Sequence, residues 1–149
     1  MKISTKGRYG LEALLDLAIH SQNDYISIKS ISERQNISDN YLEQLFGALK
    51  RSDIVESIRG AQGGYRLSRD AGQITVRQIL NALEGPLALV DCIIEDESDR
   101  CDKFACCVTR VLWQRLMESL NSLTDGITLA DLVSSHKRLN EAKAGEYYI

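Results

Sequence analysis

Proline is almost missing from this chain: one residue in 149, at position 86. That scarcity argues against long disordered linkers and for a mainly helical protein. No uninterrupted apolar run approaches the roughly 18 residues of a membrane span, so no membrane partner is expected. The first twenty residues, MKISTKGRYGLEALLDLAIH, interleave Lys6, Arg8, Glu12 and Asp16 with their apolar positions. They lack the unbroken apolar stretch of a secretory signal. The expected setting is the reducing cytoplasm, where four cysteines serve metal or redox chemistry rather than disulfide staples. Common enzyme signatures are missing too. There is no Cys-x-x-Cys pair and no Gly-x-Gly-x-x-Gly phosphate cradle, and His20 and His136 stand isolated. The sequence points away from an enzyme.

What is present is unevenly charged. Residues 1–69 carry a net +2 and residues 70–149 a net −5, within a total of −3. The mildly basic half is where a polyanion would dock.

Leu11, Leu14, Leu15, Ala18 and Ile19 recur at helical spacing and predict a helix over about 5–21. Ser27 is placed to cap a short helix over 28–35, and Ser38 a second over about 39–52, because a serine hydroxyl accepts from first-turn amides. Leu42, Leu45, Phe46 and Leu49 form the apolar face of that second helix. Two helices joined by about three residues make a helix-turn-helix. The β-branched DIVESI, the glycine-rich RGAQGG and the alternating YRLS predict a β-hairpin wing. Thr75 and Gln78 have capping-box spacing for a helix that Gly85-Pro86 ends. Val108, Val111, Leu112, Leu116, Leu120 and Leu123 then stripe a helix over 108–124. Little sequence is left to cover that stripe, so a second copy of the chain is the expected cover. Thr128 caps a last short helix, and the polar remainder is expected to be mobile.

The expected fold class is mainly α with a small β-hairpin wing: a winged helix-turn-helix domain plus a long dimerisation helix. Its parts are a DNA-binding domain over 1–85, a loop over 86–107, dimerisation and short C-terminal helices over 108–134, and a flexible tail over 135–149.

A winged helix-turn-helix offers double-stranded operator DNA the outward face and early turns of its second helix. Those positions are Ser38, Asn40, Tyr41, Glu43 and Gln44. Asn40 and Gln44 carry the amide fork that pairs with adenine, and Glu43 can accept from a cytosine amine. At the wing tip, Arg59 beside Gly60 suits a narrow minor groove. Lys6, Arg8, Lys50, Arg51 and Arg66 are candidates for phosphate contact, which fixes register without reading sequence.

All four cysteines lie in CIIEDESDRCDKFACC, residues 92–107, among five acidic residues. Thiolates suit iron–sulfur clusters, zinc or copper(I). The acidic neighbours are expected to raise the thiol pKa values, which favours metal over free thiol reactivity as the reason for the group. Zinc and a metal-free redox switch remain alternatives.

MKISTKGRYGLEALLDLA, ISERQNISDNYLEQLFGALK, SIRGAQGGYRL and CVTRVLWQRL together resemble the family of the bacterial iron–sulfur cluster regulator IscR, which includes NsrR and CymR. The likeness runs from residue 1 to about 134. It implies a homodimeric winged-helix regulator that reads operators through Asn40, Tyr41, Glu43, Gln44 and Arg59. It further implies a [2Fe–2S] cluster on Cys92, Cys101 and Cys107, the gap between the first two being longer than in similar proteins. The family's histidine ligand falls at Arg110, which has no lone pair to give. The fourth ligand stays open among Cys106, an oxygen of Glu95, Asp96 or Asp102, His20, a group from the partner's first helix, an exogenous donor and none. The function implied is cluster-sensing regulation of cluster-assembly genes. A second reading rests on the C-terminal EYYI, which resembles tails that engage cysteine synthase, the partner enzyme of CymR.

Overall fold

The computed structural model describes residues 2–94 and 101–146. These form helices α1 (Thr5–His20), α2 (Ile28–Gln35) and α3 (Asp39–Arg51), strands β1 (Val55–Ile58) and β2 (Gly64–Leu67), and helices α4 (Val76–Glu84), α5 (Val108–Gly126) and α6 (Leu129–Glu146). Short 3-10 turns lie at Ala71–Gln73, Asp91–Ile93 and Phe104–Cys106. The winged helix-turn-helix expected from the sequence is the observed fold.

The predicted caps set the boundaries. Ser27 Oγ accepts from the Ser30 amide at 3.2 Å and Ser38 Oγ from the Tyr41 amide at 3.3 Å. Between α2 and α3, Asn36 turns the chain with φ 55°, a left-handed conformation that asparagine tolerates. Thr75 and Gln78 form the reciprocal capping box that starts α4.

The wing is an antiparallel pair with Glu56 opposite Arg66 and Ser57 opposite Tyr65. Ile26, in the link between α1 and α2, exchanges two 2.8 Å backbone bonds with Tyr65 and so ties the wing to the helices. Gly64 is required there, since a Cβ would overlap the Ile26 carbonyl.

Leu14 and Leu17 of α1, Ile31 of α2, Leu42, Phe46 and Leu49 of α3, Ile54, Ile74 and Ile79 are all but fully buried together. Each contributes roughly 1.5–3 kcal/mol by leaving water. Leu129, the first residue of α6, joins this core. Its amide donates to the Ile74 carbonyl at 2.8 Å, and the Val76 amide donates to the Ile127 carbonyl at 2.9 Å.

One charge sits in this apolar setting. Asp16 is 3% exposed. Its carboxylate accepts from Arg34 Nε at 3.0 Å and Nη2 at 2.7 Å, and from Gln35 Nε2 at 3.0 Å. These bonds replace lost hydration and clamp α1 to α2.

Two features of the C-terminal part stand out. Val111, Leu112, Leu116 and Leu123 of α5 remain 45–61% exposed, and Val108 83%. Among the described residues, most of the predicted stripe is left uncovered, Leu120 being half-buried. The second is a correction: beyond residue 134 the chain was expected to be a flexible tail after a short helix, yet α6 continues to Glu146. Thr128 and Asp131 cap it reciprocally, at 3.2 and 2.8 Å. The run KRLNEAKA that follows is mostly good helix formers, which favour extending a helix already started and packed at Leu129. From Lys137 to Glu146 every residue is exposed.

Arg34→Leu strands the buried Asp16 carboxylate and is expected to cost about 3 kcal/mol in urea unfolding. Glu56→Gln breaks the half-exposed, solvent-screened pair with Arg66 and is expected to leave the urea midpoint nearly unchanged.

Candidate functional site

Helical geometry orients α3. With Leu42, Leu45, Phe46 and Leu49 buried, Asn40, Glu43, Gln44, Lys50 and Arg51 are turned to solvent. Ser38 is exposed, its hydroxyl committed to the cap. Tyr41 differs from the expectation of an outward reading residue. It is half-buried, its ring meeting Tyr9 edge-on with centroids 6.3 Å apart. Burial, and then the Glu43 carboxylate, hold the Tyr65 phenol above its ordinary pKa, so Glu43 acts on the wing as well as on solvent.

A groove of about 410 Å³ gathers Lys6, Tyr41, Glu43, Gln44 and Arg51 on one surface, closed by Ala82 and Leu83 of α4. Arg8 is exposed and lies 5.8 Å from the Tyr9 ring centroid. Arg59 and Gly60 are exposed at the wing tip, where Gly60 adopts φ 115° and its carbonyl accepts from the Gly63 amide at 3.0 Å. Two predicted phosphate contacts are engaged within the fold instead. Arg66 pairs with Glu56 at 2.5 Å and lies over Tyr25 at 4.5 Å, and Lys50 Nζ donates to Ser57 Oγ at 2.7 Å.

The four cysteines are free thiols on the segment joining α4 to α5. Cys92 lies half-buried in a 3-10 turn, Cys101 and Cys106 are exposed, and Cys107 is the N-cap of α5. The Cys107 sulfur lies 3.2 Å from Thr109 Oγ1. That hydroxyl, then the Arg110 amide, and further the Thr109 amide and the Arg110 charge, hold the Cys107 thiol below its ordinary pKa. At Cys107 this departs from the expectation that the thiols are raised: donors at the start of a helix lower it.

Arg110, at the position where the resembling proteins have a histidine, lies over the Phe104 ring at 4.1 Å. Its buried Nε makes no hydrogen bond among the described residues. Among the described residues no group of three or more His, Cys, Asp and Glu is gathered closely enough to hold a metal ion. The thiol donor set suits an iron–sulfur cluster chemically. Glu95 and Asp96, two candidate oxygen donors, lie outside the described residues, and Asp102 is exposed. His20 is turned to Asp16, its Nδ1 2.8 Å from that residue's carbonyl. No helix among the described residues is long and apolar enough to cross a membrane.

Two carboxylates escaped the sequence reading. Asp16 sits among the apolar positions of α1, and an acid there signals a buried partner. Glu84 ends α4, where the helix dipole disfavours an acid, which signals that the carboxylate serves another element.

Residues 3–135 match the family model Rrf2, described as an iron-dependent transcriptional regulator. The chain is 39% identical over 142 residues to the HTH-type transcriptional regulator IscR of Xenorhabdus nematophila, covering 95% of this chain and 85% of the relative. Among solved structures it is similar to CymR, the global cysteine regulator of B. subtilis, with a TM-score of 0.74 and 41% identity over 91% of this chain and 98% of that one. It is also similar to T. potens IscR, with a TM-score of 0.73 and 40% identity over 91% of this chain and 88% of that one.

Alkylation of Cys107 by iodoacetamide, followed by peptide mass spectrometry across pH, is expected to titrate below the ordinary thiol range. Thr109→Val is expected to move that midpoint upward. A midpoint unmoved by the substitution contradicts the assigned cause.

Proposed function

The chain belongs to the Rrf2 family of iron-dependent transcriptional regulators, and on that premise we propose that it senses an iron–sulfur cluster and controls cluster-assembly genes. It is a DNA-binding transcription regulator and not an enzyme. In this reading it acts in the cytoplasm as a homodimer on double-stranded operator DNA.

On the DNA side, Gln44 and Asn40 present amide forks to adenine and Glu43 accepts from cytosine amines. Ser38 and Tyr41 frame that end of α3. Arg59, with Gly60 allowing close approach, enters the minor groove. Lys6, Arg8 and Arg51 contact phosphates. The exposed stripe on α5 supports the homodimer, because an apolar helix face of that length calls for a cover.

The observation that carries the cluster reading is the set of free thiols between α4 and α5, with Cys107 acidified at a helix start. Cys92, Cys101 and Cys107 would hold a [2Fe–2S] cluster, the fourth ligand being open as before. When bound, the cluster supplies a redox- and iron-sensitive group whose differential affinity for two DNA-reading states shifts their balance. Arg110 offers no lone pair, so unless Cys106 closes the set the thiolates leave one iron position to another donor, as suits a labile sensor.

A second reading, regulation of cysteine metabolism with a cysteine synthase as partner, is favoured by the likeness to CymR. Its candidate contact, Tyr147–Ile149, lies outside the described residues.

Anaerobic purification is expected to give a red-brown protein, and the Cys92→Ser, Cys101→Ser, Cys107→Ser variant a colourless one with altered operator affinity. Colourless wild type would leave zinc or a metal-free thiol switch in its place. Arg51→Ala is expected to lower the salt slope of DNA binding by about 1. Leu112→Glu with Leu116→Glu is expected to shift sedimentation from dimer to monomer while leaving the helical circular dichroism intact.

A further inference from the structure

The start of α1 is capped from outside its own element. Ser4 occupies the N-cap position but gives the helix no side-chain hydrogen bond. Its hydroxyl donates instead to Glu84 Oε1 at 2.6 Å. The same oxygen accepts from the Ser4 amide at 2.8 Å and the Gly7 amide at 3.1 Å. One carboxylate at the end of α4 therefore satisfies amides that a helix start leaves without partners, and it sets negative charge at the positive end of the α1 dipole. The fit is close. A Cβ on Gly7 would overlap Glu84 Oε1, and one on Gly10 would lie 2.5 Å from Leu83.

The turn held in this way is the one that carries Lys6 and Arg8. Both are exposed, and Lys6 shares the groove with Glu43, Gln44 and Arg51 of α3 and with Leu83, the neighbour of Glu84. A frayed first turn leaves two cations on a mobile arm. A capped one presents them already ordered, so less conformational freedom is lost on binding.

We propose that Glu84 is a positioning residue for DNA binding: by capping α1 it holds Lys6 and Arg8 in register with the reading face of α3. The inference rests on the DNA-reading surface assigned above. Two signatures separate it from a purely structural role. Phosphate contacts carry no sequence information, so loss of the cap weakens every duplex by the same factor. Removing Glu84 also removes a negative charge near the polyanion, which on its own would strengthen binding.

The experiment uses the full chain, a duplex selected by the wild-type protein from a random pool, and an unrelated duplex of equal length. Glu84→Ala is expected to weaken binding to both by roughly three- to tenfold, the loss of a helix cap, with their ratio unchanged. Glu84→Gln keeps an acceptor and is expected to lose about twofold. Amide exchange over Thr5–Arg8 is expected to speed up in Glu84→Ala while α3 is unaffected. Adding Ser4→Asp, which supplies a local cap, is expected to restore both protection and affinity. Undiminished affinity in Glu84→Ala, or in Glu84→Gln if the alanine variant does not fold, overturns the proposal. So does restored protection without restored affinity. Failure of the wild type to enrich any duplex from the pool overturns the DNA reading itself, and the proposal with it.

Discussion

The burial of one face of α3 is the constraint on which the remaining structure depends. Leu42, Leu45, Phe46 and Leu49 can leave water together only if the helix turns a single stripe inward. Once that stripe is seated against Leu14, Leu17 and Ile31, the rotation of α3 about its own axis is settled. Glu43 and Gln44 then face outward as a consequence of where the leucines go. The wing obeys the same core: Tyr65 packs on Phe46 with ring centroids 4.9 Å apart, and the Ile26 bridge fixes its root. A reading helix and a wing are thereby held by one set of apolar contacts.

Charge is distributed around this core in two ways. Some groups hold the fold. Asp16 with Arg34 joins α1 to α2, Arg66 with Glu56 crosses the wing, and Arg77 with Asp125 joins α4 to α5. The first is buried on its acid side and therefore structural in weight. The other two are half-exposed and screened, so they contribute little. Lys6, Arg8, Arg51 and Arg59 are exposed around α3 and the wing tip. The winged domain is the more basic part of a chain of net −3, because many of the acids lie beyond residue 90. Arg66, a candidate phosphate contact, is paired with Glu56 and lies over Tyr25.

The segment between α4 and α5 lies between two kinds of surface. Its root is Gly85, directly after the carboxylate that caps α1, and its end is Cys107, the N-cap of the helix with the uncovered apolar stripe. A thiol at a helix start gains from the local amides and the Arg110 charge, which stabilise the thiolate. Thr109 and the amides act on the thiol by direct contact.

The sequence alone determined the elements and their order. Helix starts at Ser27, Ser38 and Thr75, the hairpin and the stripes on α3 and α5 are local signals, legible because caps, turns and periodicities act over a few residues. The four thiols and the polar face of α3 were legible for the same reason. Tertiary structure alone decided what depends on distant partners. It half-buried Tyr41 against Tyr9, engaged Arg66 with Glu56, set Arg34 on the Asp16 carboxylate and set Glu84 on the amides of Ser4 and Gly7. The length of α6 belongs with the local signals, since helix propensity over its exposed end prevailed over an expectation drawn from polarity. Periodicity tells which way a side chain leans from its own helix, but the atom that meets it is set by packing between elements far apart in the chain.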